Sequence, residues 1–212
     1  MRLLFLLAVA ITGRAEVLDR VAVTIGTLVI TQSEIAEEIR MTAFLNNQPA
    51  QFTQKAKRDS ADRLIEQRLV LRDMELGRYG EGSAAEANAM LDKLEKTRTR
   101  SQGEFDRELK AAGLTKKELQ DHLLWGLRLS SFIDLRFRPA VQVTRQDVET
   151  YYKDKVLPDT KSGKKPDLDE VRQQIRQTLS ADRADKQMDA WLKDARTRAH
   201  IEFHKEAFED GE

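Results

Sequence analysis

Few side chains in this sequence are placed for chemistry. Near the end of the chain His200, Glu202 and His204 alternate with Ile201 and Phe203. Alternate residues of an extended chain share a face, so these three would stand together and offer ligand types that zinc accepts. Period-2 alternation also describes the polar face of any half-buried strand, and that reading is preferred because it needs nothing further. His122 follows Asp121 beside an apolar helical face, where a solvated or locally hydrogen-bonded imidazole is expected in preference to a general base. Ser130 and Ser131 fall inside a helical pattern with no glycine elbow, which argues against a nucleophile. The chain has no Gly-rich phosphate loop, no HExxH and no carboxylate pair in a plausible pocket. It also has no Cys, which excludes disulfides, thiol catalysis, thiolate metal sites and a lipid-modified N-terminal Cys. The expectation is a protein without catalytic residues, metal or cofactor.

Apolar residues that exceed the needs of one core point instead to binding. Residues 116–137, KKELQDHLLWGLRLSSFIDLRF, carry Leu119, Leu123, Leu127 and Ile133 on one face and Leu124, Trp125, Leu129 and Phe132 on a second. A helix apolar over most of its circumference is expected to be covered on several sides, with the remaining helices packed around it. Met and Trp suit adaptable contacts, so Met90, Leu124 and Trp125 are candidates for a crevice that holds polypeptide. The alternative for Leu124 and Trp125 is ordinary core beneath a final helix carrying Trp191 and Leu192. Phe44 and Phe52 flank the Asn46–Asn47–Gln48–Pro49 break and complete the candidate peptide-binding set as an apolar lip.

The elements that must position these residues are mostly helical. A run of 212 residues is enough for one large or two small domains. Lys plus Arg equals Asp plus Glu at 36 each, so no net field favours nucleic acid or an anionic membrane. Residues 20–25 and 28–31 are β-branched runs joined by Gly26-Thr27, which predicts a hairpin. Helix starts follow at Thr31/Glu34, Thr53, Ser83/Glu86, Ser101/Glu104, Thr115/Glu118, Thr144/Asp147 and Asp167/Glu170, most of them in capping-box spacing. Gly77 and Gly80 should end the second helix, whose apolar side includes Leu64, Ile65, Leu69, Leu71, Met74 and Leu76; Gly113-Leu114 should end the fourth and Pro139 the fifth. The helix opened at Thr144 should run to about Val156, and residues 199–203 should form a last strand.

Residues 1–15, MRLLFLLAVAITGRA, have a basic start, a short apolar run and small residues at Gly13 and Ala15, as a signal peptide has. Cleavage before Glu16 is expected, with release of an exported, soluble protein and no stable membrane insertion. Residues 158–166, PDTKSGKKP, read as a linker between residues 16–157 and 167–212.

Several of these pieces occur together in one family. A leader, a strand–turn–strand ending VITQSEI (29–35), then LIEQRLVLRDMELGRYG (64–80), SQGEFDRELKAAGLTKKELQDHL (101–123) and VTRQDVETYY (143–152) resemble, in that order, the N-terminal chaperone domain of SurA-like periplasmic folding factors. Residues 167–203 resemble the C-terminal helix and strand that return to the same domain in that family. The resemblance implies a mainly α fold with a short hairpin, completed by that returning segment. Two departures stand out. Ile25-Gly26 occupies the place of the family's Val-Asn turn, and the linker at 158–166 stands where relatives carry parvulin prolyl-isomerase domains. The paired His residues and the Phe-Gly-x-His strand of a parvulin site are absent.

Two functions follow as expectations. One is an ATP-independent periplasmic chaperone for unfolded or partly folded exported polypeptides, including outer-membrane proteins, without isomerase activity. The other is a non-catalytic scaffold dedicated to one envelope partner, or to a second copy of itself as a homodimer. Neither involves nucleic acid.

Overall fold

A computed structural model describes residues 19–80, 82–99, 101–159 and 165–209. The leader expected at 1–15 and most of the linker expected at 158–166 lie outside them. The protein is mainly α-helical with a three-stranded antiparallel sheet of order β2-β1-β3. Strands β1 (Val21–Ile25) and β2 (Leu28–Thr31) form the expected hairpin, with Gly26 at φ +59° supplying the left-handed turn residue. Strand β3 (Ile201–Phe203) pairs with the other edge of β1, so the two ends of the described chain meet in one sheet.

Seven helices follow in order: α1 (Gln32–Leu45), α2 (Gln54–Gly77), α3 (Ala84–Arg98), α4 (Gln102–Ala111), α5 (Lys116–Arg136), α6 (Arg145–Tyr151) and α7 (Leu168–Arg198). Reciprocal capping boxes form at Thr31, Thr115, Thr144 and Asp167. Ser83 caps α3 through its own oxygen only, and Ser101 makes no side-chain cap, so two of the expected boxes are incomplete. Beyond Tyr151 the chain makes a π-helical turn, Tyr152–Val156, and one last turn, Leu157–Asp159; the helix therefore outlasts the Val156 expected for it.

The left-handed residue that closes α2 is Arg78, at φ +53°, and neither of the expected glycines. Gly77 serves a different purpose, because a Cβ there would collide with the Tyr79 ring, which folds back over it. Tyr79 in turn packs edge-on against Phe132. Leu76, expected on the apolar side of α2, is 79% exposed instead. Gly113 behaves as expected, at φ +70°, with the Leu114 amide closing on the Leu109 carbonyl at 2.9 Å and Leu114 buried.

Three apolar clusters hold the fold, and neighbouring clusters share helices. The first joins β1 and Ile30 to Ile35 and Ile39 of α1, Leu64, Ile65 and Leu69 of α2, Ala195 of α7, and the C-terminal Ala207 and Phe208. The second joins the end of α1 (Met41, Phe44) to Phe105, Leu109, Leu114 and Leu119. The third joins Val70 and Met74 of α2 to Phe132, Phe137, Ala184 and Met188. This arrangement corrects the expectation that α5 is enclosed. Only Leu119 and Phe132 of α5 are buried, and Leu135 is 61% exposed. Its start feeds the second cluster through Leu119 and Leu123, and its end feeds the third through Trp125, Leu129, Phe132 and Ile133. Two partial stripes used at opposite ends give the same sequence pattern as a wholly buried helix. The elements common to the first and third clusters are α2 and α7.

Candidate functional site

The five apolar candidates separate into two regions. Phe44 and Phe52 come together. Phe44 sits at the end of α1, buried, with its ring edge-on to Phe105 at 6.1 Å and the Arg98 guanidinium 3.9 Å from its centroid. It is a wall of the core and so half of the expected lip is not a lip. Phe52 lies just before Thr53, the N-cap of α2, and is 42% exposed. Both rings line a cleft of about 720 Å³ with Pro49, Ala112, Arg40 and Arg98.

That cleft exists because of how residues 46–53 run. Asn47, at φ +53°, turns the chain off α1, and the amides of Asn46, Asn47 and Gln48 still close on α1 carbonyls. From Ala50 to Phe52 the backbone N–H groups donate to nothing within the described chain, and every residue from Asn46 to Thr53 is exposed. The segment spans from one helix to the next without packing down between them. Open space therefore lies on more than one side of it. A second cleft of about 490 Å³ runs toward the N-terminus of α1 and shares Arg40 and Phe52 with the first. A third, of about 530 Å³, lies between Ile39, Pro49 and Ser60.

The other three candidates do not join this region. Trp125 is half-buried against the third cluster, together with Trp191 and Leu192, in keeping with the core alternative. Leu124 is half-buried and its Cδ1 lies near Gly82, 3.2 Å from where a Cβ would stand. Met90 is 43% exposed on α3. Trp125 also borders a smaller cleft of about 180 Å³, whose other walls are Glu34, Glu37, Glu38, Glu118 and His122. Burial raises the Glu37 carboxyl above its ordinary range, with Glu118, Glu34 and Glu38 adding repulsion. Burial likewise lowers the His122 imidazole, which disfavours its protonated form. The sequence pattern missed this acidic cleft because its carboxylates come from α1 and α5, which are distant in the chain.

Of the polar triplet near the C-terminus only Glu202 lies within β3, with His200 and His204 flanking the strand. His200 and Glu202 are exposed while Ile201 and Phe203 pack against the first cluster. The His204 amide donates to Ala22 O at 2.9 Å, and its Nε2 is buried without a partner among the described residues. Among the described residues no three His, Asp or Glu side chains are grouped to hold a metal ion. Ser130 and Ser131 are both exposed on α5. No described helix is long and apolar enough to cross a membrane. In comparisons with known proteins, no family model and no curated protein matched the chain.

Proposed function

We propose that this protein is an ATP-independent chaperone of exported polypeptides that acts in the periplasm, with the clefts beside Phe52 as its client-binding site. The single observation that carries the proposal is the open cleft formed by Phe44, Phe52 and the unpaired backbone of residues 50–52. An exposed aromatic ring beside an apolar cleft gives weak, non-selective burial. Free backbone donors beside it offer the main-chain pairing by which extended peptides are held without regard to their sequence. Release needs no nucleotide, since contacts of this kind are individually weak. The SurA-like assignment belongs to the same proposal. It is supported by the hairpin that leads into a capped α1, and by the long α7 whose following strand pairs with β1.

Aggregation of two unrelated unfolded proteins, followed by light scattering, tests the proposal. The wild-type protein suppresses both, and Phe52→Ser loses most of the effect. Because Phe52 is only partly buried, this change costs about 1 kcal/mol, a shift in Tm of about 2–4 °C for a chain of this size. Suppression of one protein only would favour the dedicated scaffold. Full suppression by Phe52→Ser would remove the site.

A further inference from the structure

We infer that the Phe52 clefts select peptide segments in which a carboxylate neighbours apolar side chains, with Arg40 as the group that reads the carboxylate. The inference rests on the client-binding reading above and concerns which clients it prefers. Arg40 stands in the wall shared by the first and second clefts, with its guanidinium 5.7 Å from the Phe52 ring centroid. Gly113 lies beside its stem, where an added Cβ would come within 3.3 Å of Arg40 Cδ. The Arg40 side chain makes no hydrogen bond and no ion pair among the described residues. Glu37, one turn earlier, feels its charge only weakly, behind the repulsion of Glu118, Glu34 and Glu38.

The surrounding charges are mostly of the same sign. Across the two clefts the cationic side chains are Arg20, Arg40, Lys57 and Arg98, against the carboxylates Asp19 and Glu108. Glu108 is paired with Arg98 at 2.8 Å, while Asp19 accepts from the neutral Ser33 amide at 3.1 Å and keeps its charge, so cations still outnumber carboxylates. Arg20 donates to the backbone carbonyl of Glu206, a neutral acceptor, so its charge is not cancelled. In a chain of zero net charge this region is locally basic, while the cleft beside Trp125 is acidic. A guanidinium within cation–π range of an aromatic ring, lining a cleft with no carboxylate partner of its own, is suited to pair with a carboxylate. Apolar side chains of the same segment then occupy the space on either side of Phe52.

Fluorescence anisotropy with the full-length protein and three labelled peptides tests this. All three share one extended apolar sequence and differ at two central positions, which are Glu, Gln or Lys. At low salt the Glu peptide binds about tenfold more tightly than the Gln peptide, the scale of one charge-assisted hydrogen bond, and the Lys peptide binds most weakly. Arg40→Gln reduces the Glu-to-Gln ratio to about one, whereas Arg40→Lys, which keeps the charge, retains part of it. High salt reduces the ratio as the pair is screened. Equal affinity for Glu and Gln peptides, with both weakened by Phe52→Ser, would overturn the carboxylate preference and leave the binding site standing. Failure of all three peptides to bind would overturn both. Co-sedimentation with anionic vesicles that is lost in Arg40→Gln and not competed by the Glu peptide would overturn the inference in favour of a lipid surface.

Discussion

Replacing Phe208 by Ala asks whether the C-terminal turn is an appendage or part of the core. Phe208 belongs to the last described turn, yet it is only 2% exposed in the first cluster, among residues of β1, α1 and α2. Its ring lies 5.9 Å from that of Phe203, and the Arg58 guanidinium packs over both rings. The turn is held by neighbours far off in sequence: Gln32 Nε2 donates to Ala207 O at 3.2 Å, and Arg20 donates to Glu206 O at 3.0 Å. Truncating a buried Phe costs about 3–5 kcal/mol, the lost transfer energy plus the cavity left behind. The aromatic contact with Phe203 lies within that range and is not added to it. For a chain of this size each kcal/mol lowers Tm by about 2–4 °C, so the variant should melt about 6–20 °C below wild type. Urea unfolding followed by circular dichroism should show a lower midpoint with an unchanged slope, because the unfolded chain exposes nearly the same area. A shift in Tm below about 2 °C would refute the reasoning, since it would mean that the turn detaches at little cost and the first cluster closes without it.

Further outcomes follow from particular residues. Arg78→Gly relieves a left-handed non-glycine residue at the end of α2 and should stabilise the protein by about 1 kcal/mol in thermal melts; a destabilised variant would mean that the Arg78 side chain makes a compensating contact. Because the Arg183 pairing and the Thr144 cap hold the Asp147 carboxyl well below the usual carboxylate range, its stabilising effect is present above about pH 4 and is lost as pH falls further. Tm plotted against pH should therefore fall less steeply below pH 4 in Asp147→Asn, and parallel curves would refute the pairing. Burial lowers the His122 imidazole, so the folded state binds its proton less readily than the unfolded chain and stability falls as pH drops below about 6.5. His122→Gln should flatten that part of the curve, and an unchanged slope would show that another group is responsible. The purified protein should leave the rate of X–Pro isomerisation at its uncatalysed value, on the scale of tens to hundreds of seconds, in a peptide assay; saturable acceleration would refute this.

Helix starts were the most legible part of the fold, because the signal is local. A Thr or Asp three residues before an acidic residue satisfies two amides within one turn, and it does so whatever packs above it. Thr31, Thr115, Thr144 and Asp167 all behave this way. Helix ends depended on contacts the local pattern does not contain. Gly77 and Gly80 look alike as candidate stops, but the stop falls on Arg78, because Gly77 is needed where the Tyr79 ring folds over it on its way to Phe132. Similarly, α5 carries enough apolar residues for enclosure, and nothing in its periodicity tells one thick stripe from two half-stripes that serve different clusters.

The candidate site was legible in its residue types and not in its geometry. Phe44 and Phe52 flank a chain break, which marks them as neighbours of a loop, yet their burial differs because Phe44 closes the last turn of α1 whereas Phe52 precedes the cap of α2. Which apolar residues remain available depends on what covers them. Trp191 and Leu192 of α7 reach the cluster that takes Trp125, while Phe52 stays 42% exposed and joins none of the three clusters among the described residues. Arg40 carried no sequence signal at all: it is one of 36 cations in a balanced chain. It becomes distinctive only in the fold, where Gly113, more than seventy residues later, lies beside its stem and its guanidinium is 5.7 Å from the Phe52 ring centroid. The proposed client site is therefore made of residues left over when the three clusters are satisfied, and it is such residues that sequence periodicity, which reports what is buried, identifies least well.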